Sequence, residues 1–231
     1  MTGEEDGPPL KVGAPLADVL TGLHAAIGIL AARASGTGQH VEVSLMQSAL
    51  AGLVNQAAAV LVEDRLPGRL GNRHPSITPY ETFPAGDGEL VIACGNDAIF
   101  RALCGVLACP DLGTDPRFAT NDARAAHREE LGALLRPRLA ARTVDDWVDA
   151  LRAARVPAGP VHDVAQAFAF AEAIGLVPVD ETGGVRTVRP PYGLGATPAT
   201  VRRPPPALGE HDTEIRSWLA RPSPGGSASE A

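Results

Sequence analysis

One carboxylate stands where an acid can do chemistry. Asp18 follows Lys11-Val12-Gly13 and the apolar run Ala14-Pro15-Leu16-Ala17, where a long helical stripe begins. Free N–H groups and the macrodipole at a helix N-terminus favour the charged form of an acid. Such a carboxylate is oriented and available as a nucleophile. Aspartate is also a preferred N-cap, and residue types alone favour that plainer role. His24 lies six positions further along the same helix, on another side of the cylinder, so it cannot pair with Asp18. A packed, hydrogen-bonded role suits it. In the segment Gly71-Asn72-Arg73-His74-Pro75, His74 is loop-borne beside Arg73, placed either to line a pocket or to shape the turn. His40, His127, His162 and His211 show no ligand spacing, and no metal site is expected. The chain has no GxGxxG, Walker A, GxSxG or HExxH motif.

These groups depend on the elements that carry them. Leu20, Leu23, Ile27 and Leu30 recur at three- and four-residue intervals, predicting a helix over 18–34 that Gly36 and Gly38 end. Gly22, Ala25, Ala26 and Gly28 on it would let a neighbouring backbone pack close. Val41, Val43 and Leu45 alternate with polar residues, which reads as a strand, and residues 44–63 read as a buried helix. Residues 65–79 carry Gly, Pro and Arg without periodicity and form a loop or linker. A hairpin is expected over 80–83 and 89–94 about Gly86-Asp87-Gly88. Helices are expected over 96–107, 122–139 (its end blurred by Pro137) and 143–154, the last with an imperfect capping box from Thr143. Pro157-Ala158-Gly159-Pro160 reads as a break. A helix over 164–173, a second hairpin about Gly183-Gly184, a Pro-rich extended stretch over 189–206 and a helix over 210–219 follow. The last residues look disordered.

Composition bounds the function. The 231 residues carry 20 basic and 27 acidic side chains, a net charge of −7, and 4% aromatics. That disfavours a basic nucleic-acid binder and a stacking platform for single strands. All basic residues but Lys11 are arginine, a skew that accompanies heavy Ala, Gly and Pro usage. Cys94, Cys104 and Cys109 lack CxxC spacing and are too few for a disulfide scaffold, so reduced thiols are expected. The acidic start has no apolar h-region, and no stretch approaches the roughly 18 apolar residues of a membrane span. A cytoplasmic protein without membrane contact is the expectation.

The stretch from Lys11 to Leu30, with Thr37-Gly38-Gln39 and Ser44 after it, resembles the class III CoA-transferases, the family of formyl-CoA and carnitine CoA-transferases. Arg69-Leu70-Gly71-Asn72, Pro79-Tyr80, Asp87-Gly88, Asp115 to Phe118, Val156 to Val161 and Arg202 to His211 fit the same pattern in order. The likeness runs from about residue 3 to 219. It implies that Asp18 is the catalytic nucleophile, forming an aspartyl-CoA intermediate while CoA passes from an acyl-CoA donor to a carboxylic acid. No tightly bound cofactor is implied; coenzyme A and acyl-CoA are substrates. Gly71, Asn72, Arg73 and His74 fall at the family's glycine-rich active-site loop. The bulkier Arg-His-Pro-Ser after Gly71-Asn72 looks like members acting on dicarboxylates, whose distal carboxylate Arg73 or His74 would bind.

The resemblance implies an α/β fold, with a partial Rossmann-like large domain and a small α+β domain of the interlocked-ring CoA-transferase type. Residues 1–64 would belong to the nucleophile-bearing large domain and 65–160 to the small domain. Residues 161–219 would form a return segment and 220–231 a tail. Family members begin with a long Rossmann-like segment ahead of the nucleophile. The chain is therefore expected to be their C-terminal portion, active only with a missing N-terminal half. Apolar surface left uncovered would call for a homo-oligomer, such as a homodimer, or a separate N-terminal subunit. Two other readings stay open. One is an α-methylacyl-CoA racemase-like enzyme using Asp18 as an acid/base, against which Thr21-Gly22-Leu23-His24 looks transferase-like. The other is a non-catalytic subunit or truncated fragment in which Asp18 is only a cap.

Overall fold

Glycine at the turns and alternating apolar residues beside them build the sheet that anchors the fold. In the computed structural model, which describes residues 1–221, β1 (Tyr80–Pro84) pairs antiparallel with β2 (Glu89–Ala93), Phe83 opposite Leu90 and Glu81 opposite Ile92. The tail falls largely outside the described residues. A third, edge strand, β3 (Ala158–Pro160), pairs with β2 where the sequence reads as a break. An edge strand tolerates the prolines that argue against a central one.

Phe83, Leu90 and Ile92 are fully buried in one core with residues of three helices, α4 (Asp97–Val106), α6 (Arg128–Leu139) and α7 (Val144–Ala153), while the short α5 (Asn121–Ala126) just before α6 buries only Arg124. Asn96 caps α4 through its side-chain oxygen, which accepts from the Ile99 N–H at 3.0 Å. Thr143 caps α7 through the Asp146 N–H at 3.2 Å. Asp87 in the hairpin turn accepts from the Val144 N–H at 2.8 Å and so fixes where α7 starts. The helix expected over 122–139 is two helices, because His127 leaves helical geometry (φ −114°, ψ 31°); Pro137 lies inside the last turn of α6 without ending it. All three cysteines are free and buried, and burial pushes the Cys94 and Cys104 thiols up to about 12.

The N-terminal helices contrast with this core. α1 (Leu16–Ser35) ends at Gly36 in the left-handed conformation, as expected, but none of its residues is buried. It packs against α2 (Leu45–Ala51) at small residues. A Cβ on Gly28 would lie 2.8 Å from Val41 Cγ1, and one on Gly52 would lie 2.7 Å from Leu20 Cδ1. Residues 39–44 form no strand, and Ser44, in an extended conformation, caps α2 through the Gln47 N–H. The helix expected over 44–63 breaks at 52–54, where Val54 has φ +46°, into α2 and α3 (Asn55–Glu63), bent by 85°. Nor is it buried: Leu61 and Val62 are more than four-fifths exposed, at 82% and 81%. By length and composition α1 is apolar enough to cross a membrane, contrary to the expectation, because its alanines add to the hydropathy of the leucine stripe. A single helix of this kind is weak support for a span, and this one carries Asp18 and His24.

The chain divides after Val161 into two units. In the second, α8 (Val164–Ala173) opens with a reciprocal capping box between Asp163 and Gln166 that the sequence reading did not include. β4 (Val179–Thr182) and β5 (Val185–Val188) form the expected hairpin. Its turn glycines, Gly183 and Gly184, both have positive φ (59° and 77°), as a two-residue turn with φ > 0 at both positions requires. α9 (Asp212–Leu219) is the last described helix.

Candidate active site

Pro15, not Asp18, stands at the N-cap of α1, and no side chain caps the helix. Asp18 lies inside the first turn with its carboxylate exposed, at the positive end of a 20-residue helix. The capping role that residue types alone favour is therefore not the one it plays. Three residues on, Thr21 returns its hydroxyl to the Ala17 carbonyl at 2.7 Å. His24 stays apart from Asp18, as the spacing requires. Its Nδ1 meets the buried Ser48 hydroxyl at 3.0 Å and ties α1 to α2.

The segment from Gly71 to Thr78 is irregular, so its backbone polar groups need partners outside helix or sheet. Gly71, at φ +57°, donates its N–H to the Gly3 carbonyl, and a Cβ there would lie 2.7 Å from a Glu4 carboxylate oxygen. Asn72 donates to the Thr82 hydroxyl at 3.2 Å. The Arg73 guanidinium faces three carboxylates: Glu129 through Nη1, Glu5 at 3.6 Å and Glu81 at 3.8 Å. Glu5 and Glu129 are exposed, whereas Glu81 sits on the core face of β1 with 5% exposure. Burial pushes the Glu81 carboxyl up, and Arg73, Arg136 and Arg128 only partly offset that. A bidentate grip of Arg73 on a substrate carboxylate thus means displacing Glu129 or Glu5.

His74 is held as a neutral ring. Its Nδ1 accepts from the Ser76 and Ile77 N–H groups at 3.2 and 3.0 Å, which assigns the ring proton to Nε2. The ring stacks on Tyr80 with 5.1 Å between centroids and 8° between planes. Burial, and then the nearby Arg128 charge, hold its pKa below the usual histidine value. Protonation at Nδ1 would break both backbone bonds. The unfolded chain therefore takes up this proton first as pH falls below about 6.5, and stability decreases with falling pH through that window. Titration of the His74 ring protons by NMR is expected to give a midpoint below 6.5; a midpoint at or above it contradicts this geometry.

Three side chains absent from the sequence reading hold the same segment from below. Asn121 accepts from the Thr78 N–H at 3.2 Å and donates to the Ser76 carbonyl at 2.8 Å. Arg124, fully buried, donates to the carbonyls of Thr78 at 2.6 Å and Phe118 at 2.9 Å and to Asp97 at 2.9 Å. Arg128 donates to the His74 carbonyl at 2.9 Å. Their spacing of three and four residues was the available signal, but nothing local says what such a row would hold.

Gly71 to His74 come together as one wired loop, beside a cleft of about 290 Å3 lined by Gln56, Arg65, Leu70, Gly71 and Arg73. Asp18 is not part of it; among the described residues no hydrogen bond or ion pair joins Asp18 to the loop. No group of three or more His, Cys, Asp or Glu among the described residues could hold a metal ion.

The family model described as CoA-transferase family III matches residues 1–212. The chain is 39% identical over 228 residues to the succinate–glutarate CoA-transferase of Agrobacterium fabrum, taking in 95% of this chain and 57% of that protein. It is 36% identical over 227 residues to the acetyl-CoA:oxalate CoA-transferase of Acetobacter aceti, covering 96% and 58%. The crystal structure of a CaiB/BaiF family protein from Brucella suis matches with a TM-score of 0.80 at 38% identity. That match covers 95% of this chain and 59% of the other. The chain spans about half the length of the curated relatives it matches.

Proposed function

From the premise that this chain belongs to CoA-transferase family III, we propose that it moves CoA from an acyl-CoA donor to a dicarboxylic acid through an aspartyl-CoA intermediate on Asp18. The observation that carries this is the carboxylate itself, exposed in the first turn of α1 and making no cap hydrogen bond. The carboxylate attacks the donor thioester carbonyl, forming a mixed anhydride and releasing CoA thiolate. The thiolate attacks the aspartyl carbonyl of the anhydride, giving the aspartyl-CoA thioester and the free donor acid. The acceptor carboxylate then attacks that thioester, and the released thiolate takes the acceptor acyl group, restoring Asp18. Each step exchanges one activated acyl group for another, so no ATP is consumed. Acyl-CoA is substrate throughout, and no resident cofactor enters the scheme.

The dicarboxylate preference rests on the relatives named for succinate, glutarate and oxalate and on the charge of the loop. Arg73 would take the distal carboxylate in place of the exposed Glu129 and Glu5, with the His74 Nε2–H as a second donor. The reading also carries the interlocked-ring arrangement and a partner, either a second copy or a separate N-terminal half. In support, Leu23, Ile27, Leu30, Leu61 and Val62 leave α1 and α3 apolar and exposed.

Acceptor profiles test the substrate class. With succinyl-CoA as donor, Arg73→Ala is expected to lower kcat/KM for dicarboxylates roughly tenfold or more, as loss of a charged hydrogen bond implies. Monocarboxylates should change far less. Equal weakening of both classes would contradict the assignment of Arg73.

A further inference from the structure

The loop that carries Arg73 and His74 has almost no regular structure of its own, yet four backbone groups between His74 and Thr78 are met by one row of side chains. Asn121 takes the Ser76 carbonyl and the Thr78 N–H, Arg124 the Thr78 carbonyl, and Arg128 the His74 carbonyl. Asn121 and Arg124 share a face of α5, three residues apart, and Arg128 opens α6 beyond the break at His127; the bonds they make turn all three toward the loop. Behind them, Arg124 is locked by Phe118, by Asp97 and by the Phe100 ring, whose centroid lies 4.5 Å from its guanidinium carbon. Arg124 thereby ties the row to the core, and the loop takes its shape from it.

We propose that Asn121, Arg124 and Arg128 are positioning residues that template the 74–78 backbone and thereby fix where Arg73 and His74 meet the acceptor acid. None of the three needs to touch substrate. Asn121 presents an acceptor and a donor to two backbone groups two residues apart, using both ends of one carboxamide. Arg128 reaches the carbonyl of the residue whose ring accepts from Ser76 and Ile77. Loss of either contact would release the whole turn rather than one bond. The active-site part of this inference rests on the transferase reading; the templating of the loop does not.

The test uses the full chain and the variants Asn121→Ala, Arg128→Met and Arg128→Lys. The amides of Ser76 and Ile77, bonded to the His74 ring and to neither variant side chain, should exchange with deuterium at least tenfold faster in Asn121→Ala and Arg128→Met. The amides of Phe100 in α4 and of Leu107 at its C-cap should keep wild-type protection, and Arg128→Lys, which retains a donor for the His74 carbonyl, should restore most of the loss. In acyl exchange, kcat/KM for the acceptor should fall at least tenfold, while aspartyl-CoA formation from the donor stays within about twofold. Unchanged exchange at Ser76 and Ile77 overturns the proposal. So does acceleration that extends equally to α4, or an equal fall in donor and acceptor steps. If the wild type forms no acyl-CoA product even with the relatives' N-terminal segment supplied, the transferase reading fails, and amide exchange alone decides the templating.

Discussion

Asp18→Ala is expected to lower CoA transfer by on the order of 10^4 or more, because removal of a covalent nucleophile leaves only binding and orientation to accelerate the reaction. The structure adds a second expectation that separates this role from a structural one. A capping aspartate replaced by alanine costs about 1 kcal/mol of stability. Asp18 caps nothing: Pro15 holds that position, and the carboxylate is exposed within the first turn. Its replacement should therefore change unfolding free energy by no more than about 0.5 kcal/mol, as for an ordinary surface substitution. Chemical denaturation and an acyl-exchange assay on the same preparation measure both. A variant that retains transfer contradicts the nucleophile, and one that loses activity by unfolding contradicts the position seen in α1.

Arg124→Ala is expected to have the largest effect on stability. The side chain is fully buried, and its three nitrogens serve the carbonyls of Thr78 and Phe118 and the Asp97 carboxylate. Truncation would leave those acceptors without a donor beneath the Phe100 ring. Leaving the two carbonyls of the buried Thr78 and Phe118 unsatisfied costs about 1–3 kcal/mol each, and the loss at Asp97, which is 41% exposed, adds less. For a unit of this size that lowers Tm by on the order of 10 °C. Arg124→Lys should rescue little, since one ammonium cannot reproduce a planar fork aimed at three acceptors. Thermal unfolding followed by circular dichroism checks this; an alanine variant within about 1 kcal/mol of wild type contradicts it.

Much of the fold could be read from residue patterns because its signals are local. The turns at Gly86-Asp87-Gly88 and Gly183-Gly184 announce their hairpins, and Gly36 ends α1 where the stripe of leucines stops. The misreadings arose where a local pattern needs a distant partner. Val41, Val43 and Leu45 alternate like a strand, but among the described residues no strand pairs with them, and Val41 instead packs against Gly28. The apolar run over 44–63 looks like one helix, yet it turns at 52–54, where Gly52 lies against Leu20. Conversely, β3 hides between two prolines and exists only because β2 offers it an edge.

The site divides along the same line. Asp18 reads as the proposed nucleophile only through the ordered motifs around it, since a lone aspartate at a helix start has the same local signature as a cap. Arg73 and His74 were visible as loop residues, but their environment was not. The buried Glu81 lies on β1, Glu129 on α6 and Glu5 near the start of the chain. The residues that hold the loop were missed for the same reason: Arg124 reaches a carbonyl 46 positions away. Spacing on a helix shows that side chains share a face, and only the fold shows what that face meets.

Covalent capture at Asp18 tests the central claim most directly. The full chain would be incubated with succinyl-CoA, treated with hydroxylamine, digested and analysed by mass spectrometry. A hydroxamate on Asp18, dependent on succinyl-CoA and absent when free CoA is supplied instead, is the predicted result. Turnover of succinyl-CoA with an unmodified Asp18, or with the adduct on another residue, would contradict it.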